Sequence, residues 1–242
     1  MARNEQRRQK QLEAKRAKRQ EEQRVVARAQ SSGIAGGMAA ASLWPVVQAR
    51  VSATLWDQGI GYAVLVRRGP GGLTAMATFL LDVYCLGVKD VLARVAPDHS
   101  ISAALARMGE GGCRWIDASP EHVRKLVEGA MGYALSLGLA PHRDCAAALS
   151  LFGDLDSSKC ATEFTFGSEG QPCFIAGPYD SHARIVEVLN TLRRTCGPDG
   201  FHYTVPLASP ELSDELADVL DGTEQRILDL EETDSEVIRS QL

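Results

Sequence analysis

Along this chain the spacing of apolar positions changes several times, and each change predicts an element. The clearest run is SPEHVRKLVEGAMGYALSLG, residues 119–138, where Val123, Leu126, Val127, Ala130, Ala134 and Leu137 recur every three or four positions. Ser119 suits a helix N-cap, Pro120 the first turn and Gly138 the C-terminal end, so a helix is predicted between them. SHARIVEVLNTLRR carries Ile185, Val188, Leu189 and Leu192 on a second helical face, and a shorter helix is predicted over 144–152, ending at Gly153. GYAVLVRR and LTAMATFLLD read as strands joined by the turn GPGG. TEFTFG and PCFIAG read as a hairpin closed by SEGQ, and FHYTVPL as a last strand. Two stretches are assigned to helix on spacing alone. One starts near Pro45, with Val46, Ala49, Ala53 and Leu55 broadly on one side. The other lies in DVYCLGVKDVLARV, with Val88, Val91, Leu92 and Val95.

This order predicts an α+β fold, with a mixed or antiparallel sheet and packed helices, over residues 42–208. Each predicted hairpin leads to an aspartate, Asp82 or Asp180, and then to a predicted helix, which suggests a duplicated β-β-α unit. SSGIAGGMAAA, residues 31–41, is predicted to be a flexible linker of small residues. Residues 1–30 are rich in helix formers but lack an apolar stripe, so they are predicted to form a solvated helical or disordered arm. Residues 209–242 open on a Ser-Pro cap and are expected to hold a short acidic amphipathic helix followed by disorder.

Charge sharpens this division. The net charge of −5 combines a head, 1–30, with 10 basic and 4 acidic residues and a tail, 211–242, with 2 basic and 11 acidic. No apolar run reaches the ~18 residues of a membrane span, and the charged start carries no secretory segment. The six cysteines (Cys85, Cys113, Cys145, Cys160, Cys173 and Cys196) include no C-x-x-C pair and are read as reduced thiols of a cytoplasmic protein.

The densest chemistry lies in PHRDCAAALSLFGDLDSSKC, residues 141–160. His142 and Asp144 are two apart, as are Asp154 and Asp156, so either pair points one way if extended. With Asp82, and with Asp90 or Glu163 in support, they are candidate ligands for a divalent metal or members of an acid–base site. The plainer reading is preferred, in which Asp144 favours the start of a helix and Asp154 and Asp156 bond their own loop amides. No nucleophile elbow or phosphate-binding glycine motif is present, and no motif supports a Cys–His dyad. In the head, Arg3, Arg7, Arg8, Lys10, Lys15, Arg16, Lys18, Arg19 and Arg24 form a candidate phosphate-contacting set without aromatic residues to stack on bases.

FLLDVYCLGVKD, GAMGYALSLGLAPHRDCAAALSLFGDLD and TEFTFGSEGQPCFIAGPYDSHARI together resemble a bacterial protein family to which no activity is assigned. The resemblance spans about residues 44–205 and implies that the body is one recurring domain. It implies no activity, and no catalytic residue is carried over from it; no cofactor is predicted, with a divalent metal left open. The expectation is therefore a non-catalytic binding or adaptor protein whose arm contacts RNA, a ribonucleoprotein or another acidic surface. The alternatives are a metal-dependent hydrolase or nuclease built on the His142–Asp156 region, and a subunit docking on a partner protein through its acidic tail.

Overall fold

The computed structural model describes residues 33–205. In order, its elements are helix α1 (Gly33–Ala41), strand β1 (Val46–Ser52), the single turn α2 (Leu55–Gln58), β2 (Ile60–Arg68), β3 (Leu73–Asp82) and β4 (Gly87–Pro97). Then follow α3 (Asp98–Glu110), β5 (Trp115–Asp117), α4 (Pro120–Ser136), α5 (Cys145–Leu149), β6 (Cys173–Ile175), α6 (His182–Cys196) and β7 (His202–Thr204). Five strands make one antiparallel sheet in the order β4-β3-β2-β1-β5, and β6 pairs with β7 in parallel as a separate sheet. The fold is α+β, as the sequence predicts. No helix among the described residues is long and apolar enough to cross a membrane. The basic arm, 1–30, and the acidic tail, 209–242, lie outside the described residues.

Both helices assigned on spacing alone are strands, for identifiable reasons. In β1, three of seven residues are valines, whose branched Cβ suits pleated backbone. The strand pairs with β2 from Val46↔Arg67 to Val51↔Ala63, which decides a window too short to fix one period. In β4 a bulge leaves Lys89 unpaired, because Leu81 pairs with Val88 but Leu80 with Asp90. The extra residue brings Val88 and Val91, three apart, to the same side against Leu81 and Phe79. A bulged strand thus imitates helical spacing.

The predicted hairpin of TEFTFG and PCFIAG is also corrected. Residues 161–166 form no strand, and the turn after them closes a single bridge, Ser168↔Gln171. β6 pairs with β7 across α6, so no β-β-α unit repeats, and Asp82 leads through a turn into β4. The stretch expected as a flexible linker contains α1, whose Met38 and Ala41 are buried in the main core. Its small residues lie against α5 and β4.

The main core fills one face of the sheet. There Ala63, Leu65, Ala75, Ala77 and Phe79 meet Val123, Leu126, Val127 and Ala130 of α4, with α1 and α5 beside them. On the other face, Val64, Val66 and Met76 pack against Ile101 of α3. β3 is therefore buried along nearly its whole length. A third cluster joins α6, Phe174 of β6 and Tyr203 of β7 to Ala134 of α4, to Leu137 at its C-cap and to Cys85 and Leu86 in the β3–β4 turn.

One cation sits inside this framework. Arg67 is 5% exposed, and it donates from Nε to the Leu151 carbonyl (2.9 Å), from Nη1 to Trp44 (2.6 Å) and from Nη2 to Phe152 (2.8 Å). Its charge-assisted bonds satisfy carbonyls at the end of the 3-10 turn that follows α5. Burial lowers its pKa, and Asp154 opposes that effect.

Candidate functional site

Helix α4 positions most of the polar chemistry. The Ser119 hydroxyl accepts the His122 amide (3.1 Å), so the helix starts where the Ser-Pro pair predicts. Its apolar stripe faces the sheet, and His122, Arg124 and Lys125 in its first two turns reach the segment 153–163. Arg124 Nη1 donates to the carbonyls of Gly153 (3.0 Å) and Leu155, while its Nε pairs with Glu128. Lys125 Nζ donates to the Cys160 carbonyl (3.1 Å) and to Glu163 Oε1 (2.6 Å). These cations hold a segment that has no sheet to hold it.

An aromatic cluster packs over the same segment. Phe164 stacks on Trp56 with ring centroids 5.8 Å apart, and Phe166 stacks on Tyr133 at 5.5 Å. The two phenylalanines alternate as strand residues would, but they serve ring packing instead of a ladder. A Cβ at Gly129 would stand 2.9 Å from the tip of the Phe166 ring, so this helical glycine makes room for it. The His122 ring meets Phe164 edge-on at 5.0 Å. Its Nδ1 lies 3.8 Å from the Cys160 sulfur, and Cys160 is 8% exposed. Burial lowers the His122 pKa, which favours a neutral imidazole. A neutral imidazole beside a thiol can take its proton.

The residues singled out from the sequence separate into different surroundings. His142 Nε2 is 3.8 Å from Asp90 and its Nδ1 is 4.0 Å from Asp144, so these three do come together. The Asp144 amide donates to His142 Nδ1 (3.3 Å), which places the proton of a neutral ring on Nε2, facing Asp90. The Asp144 side chain makes no cap bond to α5. Asp156 instead accepts the Ser158 amide (3.0 Å) and hydroxyl (2.7 Å), bonds that hold its pKa below the usual carboxylate value. Asp154 acts through space on Arg67.

Asp82 is 6% exposed, and its Oδ1 accepts the amides of Tyr84 (3.1 Å) and Cys85 (2.8 Å) in the β3–β4 turn. Burial pushes its pKa up to about 6, against the lowering effect of those amides and of Lys89. Lys89, the bulge residue, pairs with Asp180 (2.9 Å) on the segment leading into α6. Among the described residues, no group of three or more His, Cys, Asp or Glu side chains is arranged to hold a metal ion. The nine arm cations lie outside the described residues.

The pairing of His122 with Cys160 is absent from the sequence reading. The two are 38 positions apart and share no motif. The available signals were indirect, a capped helix fixing His122 near its start and alternating phenylalanines just after Cys160. No family model matches this chain, and neither does any curated protein or solved structure.

Proposed function

We propose that the protein is a cytoplasmic, non-catalytic binding or adaptor protein whose basic N-terminal segment contacts RNA, a ribonucleoprotein or another acidic surface. The observation that carries this reading is the segregation of charge, with nine cations among residues 3–24 on a chain of net charge −5. Such a set, including Arg7, Arg8, Arg16 and Arg19, binds phosphates by counterion release, with little dependence on base identity. In the folded body, Asp82, Asp156 and Arg67 hold their own loops and turns. The test compares the full chain with one trimmed to begin at residue 31, which keeps α1 intact. Fluorescence anisotropy with a single-stranded RNA should show binding by the full chain that weakens at least tenfold between about 50 and 200 mM salt. The trimmed chain should lose it. Equal, salt-insensitive binding by both chains would refute the reading.

The alternative is a metal-dependent hydrolase or nuclease in the His142 region, where Asp90 and Asp144 approach the ring without forming a metal-holding group. A stoichiometric divalent metal in the purified protein, lost on His142→Ala, would put that reading first.

A further inference from the structure

We propose that Cys160 is a modification site for small, flat, uncharged electrophiles, with His122 accepting the thiol proton. The proposal is independent of the nucleic-acid reading, because it concerns stoichiometric chemistry at the folded body and not the arm.

Three observations converge on it. The first is the direct approach of His122 Nδ1 to the Cys160 sulfur at 3.8 Å, with the histidine held by the capped first turn of α4 and by the edge of Phe164. The second is contrast with other thiols of the chain. Burial raises the pKa of Cys85, Cys145, Cys173 and Cys196, with Cys145 pushed up to about 11; Cys160 is itself only 8% exposed, and what sets it apart is the imidazole at its sulfur. Cys113 faces the Ser52 hydroxyl at 3.2 Å, a group that does not act as a base. The third is the character of the surroundings. Phe164 and the half-exposed Trp56 offer stacked ring surface, and the neighbouring charges, Lys125 and Glu163, cancel as a pair. That combination suits an α,β-unsaturated carbonyl better than a charged reagent.

The step balances without a redox partner. The thiol proton passes to His122 Nδ1, and the sulfur lone pair forms a C–S bond at the β-carbon. The displaced π electrons settle on the enolate, which is protonated at the α-carbon, and the imidazolium returns its proton to solvent. No bond to a leaving group breaks.

N-ethylmaleimide, a flat unsaturated dicarbonyl, serves as the probe on the full-length protein, with modification of each cysteine followed over time by peptide mapping. Near pH 6.5, Cys160 should react faster in the folded protein than in the same protein unfolded in urea. His122→Asn keeps a polar atom near the Nδ1 position and His122→Phe keeps the ring packing, but both remove the base. Each should slow Cys160 at least about tenfold while leaving Cys113 unchanged as the internal reference for folding. Slower reaction of Cys160 in the folded protein, or equal rates in wild type and both variants, would overturn the proposal.

Discussion

The two halves of helix α4 are built differently. Toward its C-terminus it is a packing surface, where Ala130 and Ala134 let the β3–β4 turn and the α6 cluster close on it. Toward its N-terminus it works through side chains, with Arg124, Lys125 and His122 reaching out to a segment that has no strand and only a 3-10 turn at Ser157–Lys159. The inward face of the C-terminal half, at Ala130 and Ala134, tolerates almost no added volume. The N-terminal half depends on polar contacts, each worth less alone, and it carries the reactive geometry. Polar chemistry collects where chain is held by side chains and not by a ladder.

The sharpest test of this difference places the same substitution where the β3–β4 turn closes on the helix and where the helix meets the aromatic cluster. Gly87 has φ +67°, and a Cβ there would stand 2.6 Å from the Ala130 carbonyl oxygen and 2.7 Å from the Ala134 Cβ. Both neighbours belong to a packed helix, so Gly87→Ala should cost about 3 kcal/mol or more, read as a lower urea midpoint. Gly129→Ala meets only the tip of the Phe166 ring, which can tilt, and should cost about 1 kcal/mol. Equal losses would mean that these two contacts are packed alike.

Asp82 lies beneath the turn that meets the C-terminal half, and it gives that half a pH signature. Its folded pKa, about 6, is above the ordinary value of 3.8, so the folded state holds the proton more tightly than the unfolded chain does. Stability from this group is fully present below pH ~4 and is lost as pH rises toward and through 6, by up to about 3 kcal/mol. Other carboxylates titrate in the same window, so the comparison is with Asp82→Asn, which keeps the Oδ1 that accepts both amides. The variant should gain stability relative to wild type between pH 4 and 7, as measured by urea unfolding. A constant difference across that range would show that Asp82 titrates normally.

At the N-terminal half, Arg124→Ala removes donors from the Gly153 and Leu155 carbonyls. The guanidinium is partly exposed and water can replace it, so a loss of about 1 kcal/mol is expected. The clearer readout is local. Amide exchange in 153–160 should quicken while the strands stay protected. Unchanged exchange there would remove Arg124 from its assigned role.

How much of this was legible follows the same divide. The capped helices α4 and α6 and strands β2 and β3 were readable because their signals are local, such as Ser119 with Pro120 or a long apolar run. β1 and β4 were misread because strand partners far along the chain decide them, and in β4 the bulge at Lys89 shifts the inward residues to helical spacing. The same limit governs the sites. His142 and Asp144 stood out because they are sequence neighbours, whereas Cys160 meets His122 only through the tertiary path of residues 153–164.

That asymmetry sets the smallest expected effect at the most conspicuous residues. The His142 contacts are 3.8 Å and 4.0 Å long, and the Asp90 and Asp144 side chains are 69% and 44% exposed. Contacts of such length and exposure contribute little, because water competes for both partners and the side chains lose freedom in meeting. Asp90→Asn and Asp144→Asn should each change stability by no more than about 0.5 kcal/mol. Asp144→Asn also leaves intact the backbone amide that donates to His142 Nδ1. If the double variant instead lost 2 kcal/mol or more, roughly twice the sum of those limits, the cluster would be coupled more tightly than its distances imply. Its carboxylates would then be acting together on His142.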